Sequence, residues 1–300
     1  MHPLSGIYVA SITPFNDADE LELDSISGLL NYYADQGAHG ALLAGTTGEG
    51  TSLSDEERLA LFRQGIKIRE RFPDFRVLAS TGTPSLTQTI TLTQQAFEIG
   101  CEAVLVLPPF YLSSAPLEGI YQWYVQVLER AVPKDKYLLA YHIPQISGIN
   151  MPVELFSRLD QAFPNRFAGI KDSTGDLEHA RSAVKALPGK AVLVGNDHLV
   201  GPSLAAGSSG AITALANLQV ASARKIWDSF EAGENFDSEQ ASLSIARKVL
   251  DQHPPAPAFL KALLPNQSAL PKWSVRLPLL PFDKSAEQSI RKQYQASLNG

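Results

Sequence analysis

Short, nearly pure apolar runs recur along the chain, each bounded by turn residues, and longer stretches between them return an apolar residue every three to four positions. The runs are 6–12, 40–44, 76–80, 103–107, 137–141, 167–171, 191–195 and 210–213. Each has the length of a strand, and the lack of polar alternation is the mark of parallel strands buried on both faces. The intervening spacing predicts helices over 25–36, 55–71, 87–100, 117–131, 152–163, 176–187 and 199–206. Ser54 and Glu57 form a capping box that fixes the start of the second helix, and Gly100 is placed to end the third.

Strands alternating with helices predict a parallel sheet, and eight of them favour closure into a (β/α)8 TIM barrel. An open doubly wound sheet is the alternative, but its usual glycine fingerprint after the first strand is replaced by Thr13-Pro14-Phe15-Asn16. Beyond about residue 219 the strand signal disappears. Helices are expected over 220–230, 238–250, 258–264 and 285–297, with Pro254-Pro255-Ala256-Pro257 breaking the region. The expected organisation is therefore a barrel over 1–222 and a C-terminal helical extension over 223–300.

Composition narrows the classes. Of 300 residues, 44% are hydrophobic and 19% charged, enough for a full core, and the net charge of −6 with no basic run speaks against nucleic acid as a partner. No apolar run is long enough to span a membrane, and the start has no secretory pattern. The single cysteine, Cys101, forms no internal disulfide and fits a reducing compartment. A cytoplasmic protein is the expectation.

In such barrels chemistry sits at the C-terminal ends of the strands. There the sequence places Gly45-Thr46-Thr47-Gly48-Glu49, Tyr111, Tyr141-His142-Ile143-Pro144, Lys171, Asn196-Asp197-His198 and Thr213. Tyr141 and Lys171 close neighbouring strands. A desolvated lysine is a nucleophile toward a ketone, and the resulting imine is an electron sink for making or breaking an adjacent carbon–carbon bond. A tyrosine within reach can carry the proton. The glycines and hydroxyls of 45–48 suit a carboxylate, so a 2-oxo acid fits both halves. Each residue also has a plainer reading: Lys171 in a salt bridge with Asp172 or Asp176, Tyr141 as a core aromatic, 172–176 as helix capping, and Asp197-His198 as a loop pair.

Gly45-Thr46-Thr47-Gly48-Glu49, Tyr141-His142-Ile143-Pro144 and Gly169-Ile170-Lys171-Asp172, in this order, resemble the dihydrodipicolinate synthase/N-acetylneuraminate lyase family over nearly the whole chain. The resemblance implies a class I, Schiff-base aldolase needing no cofactor and no metal. Lys171 would bind pyruvate or another 2-oxo acid as an imine, and Tyr141 would move protons. Thr46, Thr47 and Gly48 would hold the carboxylate, with Thr46 also in a proton relay. Tyr111 resembles the relay tyrosine that a neighbouring subunit supplies, so a homotetramer or homodimer is implied. Dihydrodipicolinate synthases usually carry an arginine five residues after the tyrosine, for a second carboxylate; here that place is Ile146, with no basic residue nearby in sequence. His142 replaces the usual asparagine. Ser147 and Asp197 are similar to neuraminate lyases, but His198 stands where these often have an acidic residue.

The expectation is thus a lyase acting on a 2-oxo-3-deoxy sugar acid or related 4-hydroxy-2-oxo acid, with pyruvate and an aldehyde as the other partners. Ser147, Asp197, His198 and Thr213 are candidates for the far end of the substrate. Dihydrodipicolinate synthase, also called 4-hydroxy-tetrahydrodipicolinate synthase, is the alternative within the same chemistry. A non-catalytic 2-oxo-acid-binding paralogue is the alternative from another class.

Overall fold

A computed structural model describes residues 2–299. The eight runs form β1 (Gly6–Ala10), β2 (Gly40–Leu43), β3 (Arg76–Ser80), β4 (Ala103–Val106), β5 (Tyr137–His142), β6 (Phe167–Asp172), β7 (Ala191–Val194) and β8 (Gly210–Thr213). They pair in parallel, in sequence order, and β8 returns to β1 to close a barrel. The helices between them are α1 (Leu23–Asp35), α2 (Asp55–Ile66), α3 (Leu86–Ile99), α4 (Leu117–Ala131), a short α5 (Pro144–Ser147), α6 (Val153–Ala162), α7 (Leu177–Ala186) and α8 (Val200–Ala205). The chain continues with α9 (Ala216–Ala232), α10 (Asp237–Gln252), α11 (Ala256–Leu263) and α12 (Lys284–Asn299). The capping box at Ser54 is formed, and Gly100 ends α3 in the left-handed conformation. The helix expected over 55–71 ends at Ile66 and tightens into a 3-10 turn over Lys67–Glu70.

Two apolar layers follow from strand alternation. Tyr8, Leu42, Leu78, Leu105, Leu139, Leu193 and Ile212 fill the barrel. Ile7, Val9, Leu43, Val77, Val104, Ile170 and Val192 pack outward against the helices. Both layers are buried, which is why the runs read as continuous rather than alternating.

Position 222 falls inside α9 rather than in a linker. α9 consists of two helical stretches that meet at a kink at Gln219, and it is tied to the barrel. Asn217 Nδ2 donates to Ala10 O at 2.8 Å and its Oδ1 accepts from Ile12 N at 3.0 Å, stitching the end of β1 to the start of α9. α10 then packs on α9 and on the turn after β7. Gln240 Oε1 accepts from Gly201 N at 2.7 Å and its Nε2 donates to Asp197 O at 3.0 Å. The extension thus lies over the rim formed by the C-terminal ends of the strands. Among the described residues, no helix is long and apolar enough to cross a membrane.

Candidate active site

Lys171 faces the barrel interior because of one glycine. Along β6, Phe167 packs outward and Ala168 inward. A regular strand would then turn Ile170 inward and Lys171 out, since side chains alternate with period two. Instead the pairing with β5 steps from Leu138↔Phe167 to Leu139↔Gly169, a one-residue bulge. Gly169 takes φ +130, and a Cβ there would lie 2.1 Å from Ala191 O. The bulge resets the alternation, so Ile170 packs outward and Lys171 becomes the register partner of Tyr141.

Lys171 Nζ lies 4.3 Å from the centroid of the Tyr141 ring, and the two residues are 4% and 2% exposed. Burial pushes the Tyr141 phenol up, but the Lys171 cation and the nearby Thr46 and Ser173 hydroxyls outweigh it, and its pKa lies below the ordinary phenol value. The carboxylates that could have paired with Lys171 are committed elsewhere. Asp172 faces outward, where it accepts from Thr174 N at 3.0 Å and meets His179 Nδ1 at 2.9 Å. Asp176 caps α7 by accepting from Glu178 N at 2.9 Å. That Asp176 cap is the helix-capping role the sequence offered for 172–176, and it leaves the amine to the cavity.

The 45–48 loop is held from below and behind. Ala44 and Glu49 flank it in left-handed backbone, φ 55 and φ 54, a conformation that persists only where the surroundings enforce it. Thr13 Oγ1 donates to Gly48 O at 2.6 Å, and Arg58 Nη2 to Gly50 O at 2.5 Å. Glu49, 5% exposed, accepts from Lys261 Nζ of α11 at 2.6 Å and from Arg276 N at 2.9 Å. Burial lowers the Lys261 pKa to about 8 against the pull of Glu49. Among the described residues, the Thr46 and Thr47 amides meet no backbone acceptor. The two amides are therefore left as donors, while the Thr46 hydroxyl is turned to the Tyr141 phenol.

Thr46, Thr47, Tyr141 and Lys171 line one cavity of about 200 Å³, together with Gln145, Ile146, Ser173, Thr174, Asn196 and Arg247. The barrel rim thus brings together four of the residues singled out in the sequence. Gly48 supports the loop; a Cβ on it would lie 2.7 Å from Ser11 O.

The other candidates lie elsewhere. Thr213 is 1% exposed and follows inward-facing Ile212, so it faces the helix layer. Ser147 is tied to its own turn, its Oγ accepting from Ile149 N at 3.2 Å, and it lines a neighbouring cavity of about 110 Å³ that shares Thr46 and Ile146. Asp197 is fully buried in an ion pair with Arg247 Nη1 at 2.9 Å. His198 sits behind it, 3.7 Å from Asp251. Tyr111 is 91% exposed and does not line the cavity within this chain. His142 lies fully buried on the outer face, stacked on His179 with ring centroids 4.8 Å apart, and neither of its ring nitrogens has a hydrogen-bond partner among the described residues. With His179 and Asp172 it is the one group of potential metal ligands among the described residues. Asp172 is already engaged by His179 and by Thr174, so this trio is built as a hydrogen-bonded pair with a stacked neighbour.

Arg247 and the Glu49–Lys261 pair escape a reading of the sequence. Arg247 brings a guanidinium into the cavity, but it arrives from α10. Nothing in the amphipathic pattern of that helix distinguishes it from a surface arginine.

Comparison with known proteins places relatives along the whole chain. Over 296 residues the chain is 36% identical to an uncharacterized DapA-like lyase of Chloroflexus aurantiacus, covering 98% of this chain and 97% of the relative. Its fold matches dihydrodipicolinate synthase DapA-2 of Bacillus anthracis with a TM-score of 0.89 at 28% identity, covering 100% and 99% of the two chains. It also matches the chloride-inhibited dihydrodipicolinate synthase of Acinetobacter baumannii complexed with pyruvate, with a TM-score of 0.86 at 26% identity, covering 98% and 99%. The model of the dihydrodipicolinate synthetase family matches residues 3–297, and the chain belongs to that family.

Proposed function

We propose that this protein is a class I lyase that cleaves or forms a 2-oxo-3-deoxy sugar acid, or a related 4-hydroxy-2-oxo acid, through an imine on Lys171. The observation that carries this reading is the meeting of Lys171 and Tyr141 in one cavity with the Thr46 and Thr47 amides, which meet no backbone acceptor among the described residues. The carboxylate of the substrate takes the Thr46 and Thr47 amides. Lys171 Nζ attacks the ketone carbon, and loss of water leaves the imine. Tyr141 takes the proton of the C4 hydroxyl, the C3–C4 bond breaks, and an aldehyde leaves. The electron pair passes into the enamine, which is reprotonated at C3, and water then releases pyruvate from Lys171.

Ile146 stands at the mouth of the cavity, 62% exposed, where dihydrodipicolinate synthases carry a carboxylate-binding arginine. This favours a hydroxylated substrate. Dihydrodipicolinate synthesis is the second reading, favoured by the names of the solved relatives. We place the enzyme in the cytoplasm, without cofactor, as a homo-oligomer in which exposed Tyr111 joins the proton relay of a neighbouring subunit. Incubation with pyruvate and borohydride is expected to add one reduced pyruvyl group at Lys171. An unmodified Lys171 in folded protein overturns the reading, and turnover of aspartate semialdehyde in preference to 2-oxo-3-deoxy acids favours the second one.

A further inference from the structure

We infer that Arg247 reads the far end of the substrate, and that it does so as a hydrogen-bond donor to hydroxyl oxygens rather than as the partner of a second carboxylate. The inference rests on the imine chemistry proposed for Lys171 and adds the part of the molecule that chemistry leaves open. Arg247 belongs to α10, outside the barrel, yet it lines the same cavity as Lys171. Its Nη1 donates to Asp197 Oδ2 at 2.9 Å and its Nε to Asp251 Oδ1 at 2.8 Å. Among the described residues Nη2 has no such partner, so one edge of the guanidinium remains for a ligand.

The arginine is fixed in place. Asp197 is fully buried, and its other oxygen, Oδ1, has no hydrogen-bond partner among the described residues. If Arg247 swung away, it would abandon a buried carboxylate, which is strongly unfavourable. Burial works against the Arg247 charge, but Asp197 and Asp251 outweigh it, so the group stays cationic. It is thus a permanent donor with a set direction.

The charge around it decides what it binds. One guanidinium faces two carboxylates, Asp197 and Asp251, so this end of the cavity offers donors without net positive charge. The neutral groups beside it, Gln145, Ser173, Thr174 and Asn196, add hydroxyls and amides but no cation. A substrate carboxylate here would gain a hydrogen bond and meet two like charges. A hydroxylated chain end gains the hydrogen bond without that repulsion.

The test compares 2-oxo-3-deoxygluconate, with a hydroxylated end, and 4-hydroxy-2-oxoglutarate, with a carboxylate end, in the full-length protein. The wild type is expected to favour the hydroxylated acid in kcat/KM. Arg247→Lys keeps a cation opposite Asp197 and so preserves the fold, but it loses the planar fork. Its KM for the hydroxylated acid is expected to rise about tenfold with kcat little changed, as for loss of one charge-assisted hydrogen bond. Asp251→Asn, at a half-exposed position, removes one carboxylate and is expected to move the kcat/KM ratio about fivefold toward the diacid. Borohydride trapping with pyruvate separates the two levels. If Lys171 is not trapped in the wild type, the imine reading and this inference fall together. If it is trapped but the wild type prefers the diacid, or neither variant changes the ratio, only the role of Arg247 is overturned.

Discussion

Tyr141 and Lys171 are direct register partners across β5 and β6, with the amine 4.3 Å from the centre of the phenol ring. The pairing places the Lys171 amine and the Tyr141 phenol at one height of the barrel rim, and among the described residues no carboxylate forms a salt bridge with Lys171. Tyr141→Phe keeps the ring that packs inside the barrel and removes only the hydroxyl. We expect kcat to fall by about 10²–10⁴, the range for loss of a positioned general acid/base. Steady-state turnover of a 2-oxo-3-deoxy acid measures this, and a loss below tenfold would remove Tyr141 from the proton path.

The same pairing depends on Gly169. At φ +130, with Ala191 O 2.1 Å from where a Cβ would sit, alanine has neither the backbone conformation nor the space. Gly169→Ala is expected to cost about 3 kcal/mol or more, beyond a usual backbone-strain penalty because a clash is added. If the protein still folds, the bulge moves and Lys171 loses its partner. Urea unfolding and pyruvate trapping report the two effects, and a variant with unchanged midpoint and full trapping contradicts the role of the bulge.

Lys261→Met tests the clamp on the 45–48 loop. It leaves the Glu49 carboxylate buried without its ion-pair partner, a change expected to cost about 3–5 kcal/mol. Glu49→Gln with Lys261→Met removes both charges and is expected to recover a large part of that loss. The KM for the 2-oxo acid should rise in the single variant, because the loop that presents Thr46 and Thr47 is freed. An unchanged KM together with an unchanged unfolding midpoint would show that the loop stands without the clamp.

His142 gives the pH dependence. Burial, with a smaller push from His179, lowers its pKa from 6.5 to about 4. Between these values the unfolded chain takes up a proton that the folded chain refuses, so this residue makes stability fall as pH drops from 6.5 toward 4. His179 acts with the opposite sign. Its hydrogen bond to Asp172 raises its pKa, so its contribution is fully present below 6.5 and is lost as pH rises through the folded value. His142→Phe, which also removes two partnerless ring nitrogens, is expected to flatten the acid side of a plot of unfolding free energy against pH. A slope between pH 4 and 6.5 as steep as that of the wild type would assign the acid sensitivity elsewhere.

The barrel was legible because each strand is buried on both faces and so writes itself as a short unbroken apolar run. The helices were legible from their period, although the stretch of α9 before its kink at Gln219 carries no such pattern and α5 is too short to have one. The clustering of Thr46, Thr47, Tyr141 and Lys171 followed from strand ends alone. Side-chain direction did not. Thr213 occupies the right rim but faces the helices, Ser147 is tied to its own turn beside a neighbouring cavity, and Lys171 faces inward only through a bulge that no periodicity displays. Asp197 and His198 were noticed for their chemistry, yet their partners, Arg247 and Asp251, lie on a helix joined to them only by tertiary packing. Long-range pairs of this kind leave no local signature.

The Glu49–Lys261 and Glu49–Arg276 contacts have a consequence for how the enzyme comes into being. On the ribosome, Lys171, Tyr141 and the threonines are all made before residues 261 and 276 emerge. A nascent barrel therefore holds its amine while the threonine loop is still unclamped. The clamp on that loop thus arrives only with the last quarter of the chain, after every strand of the barrel has been made.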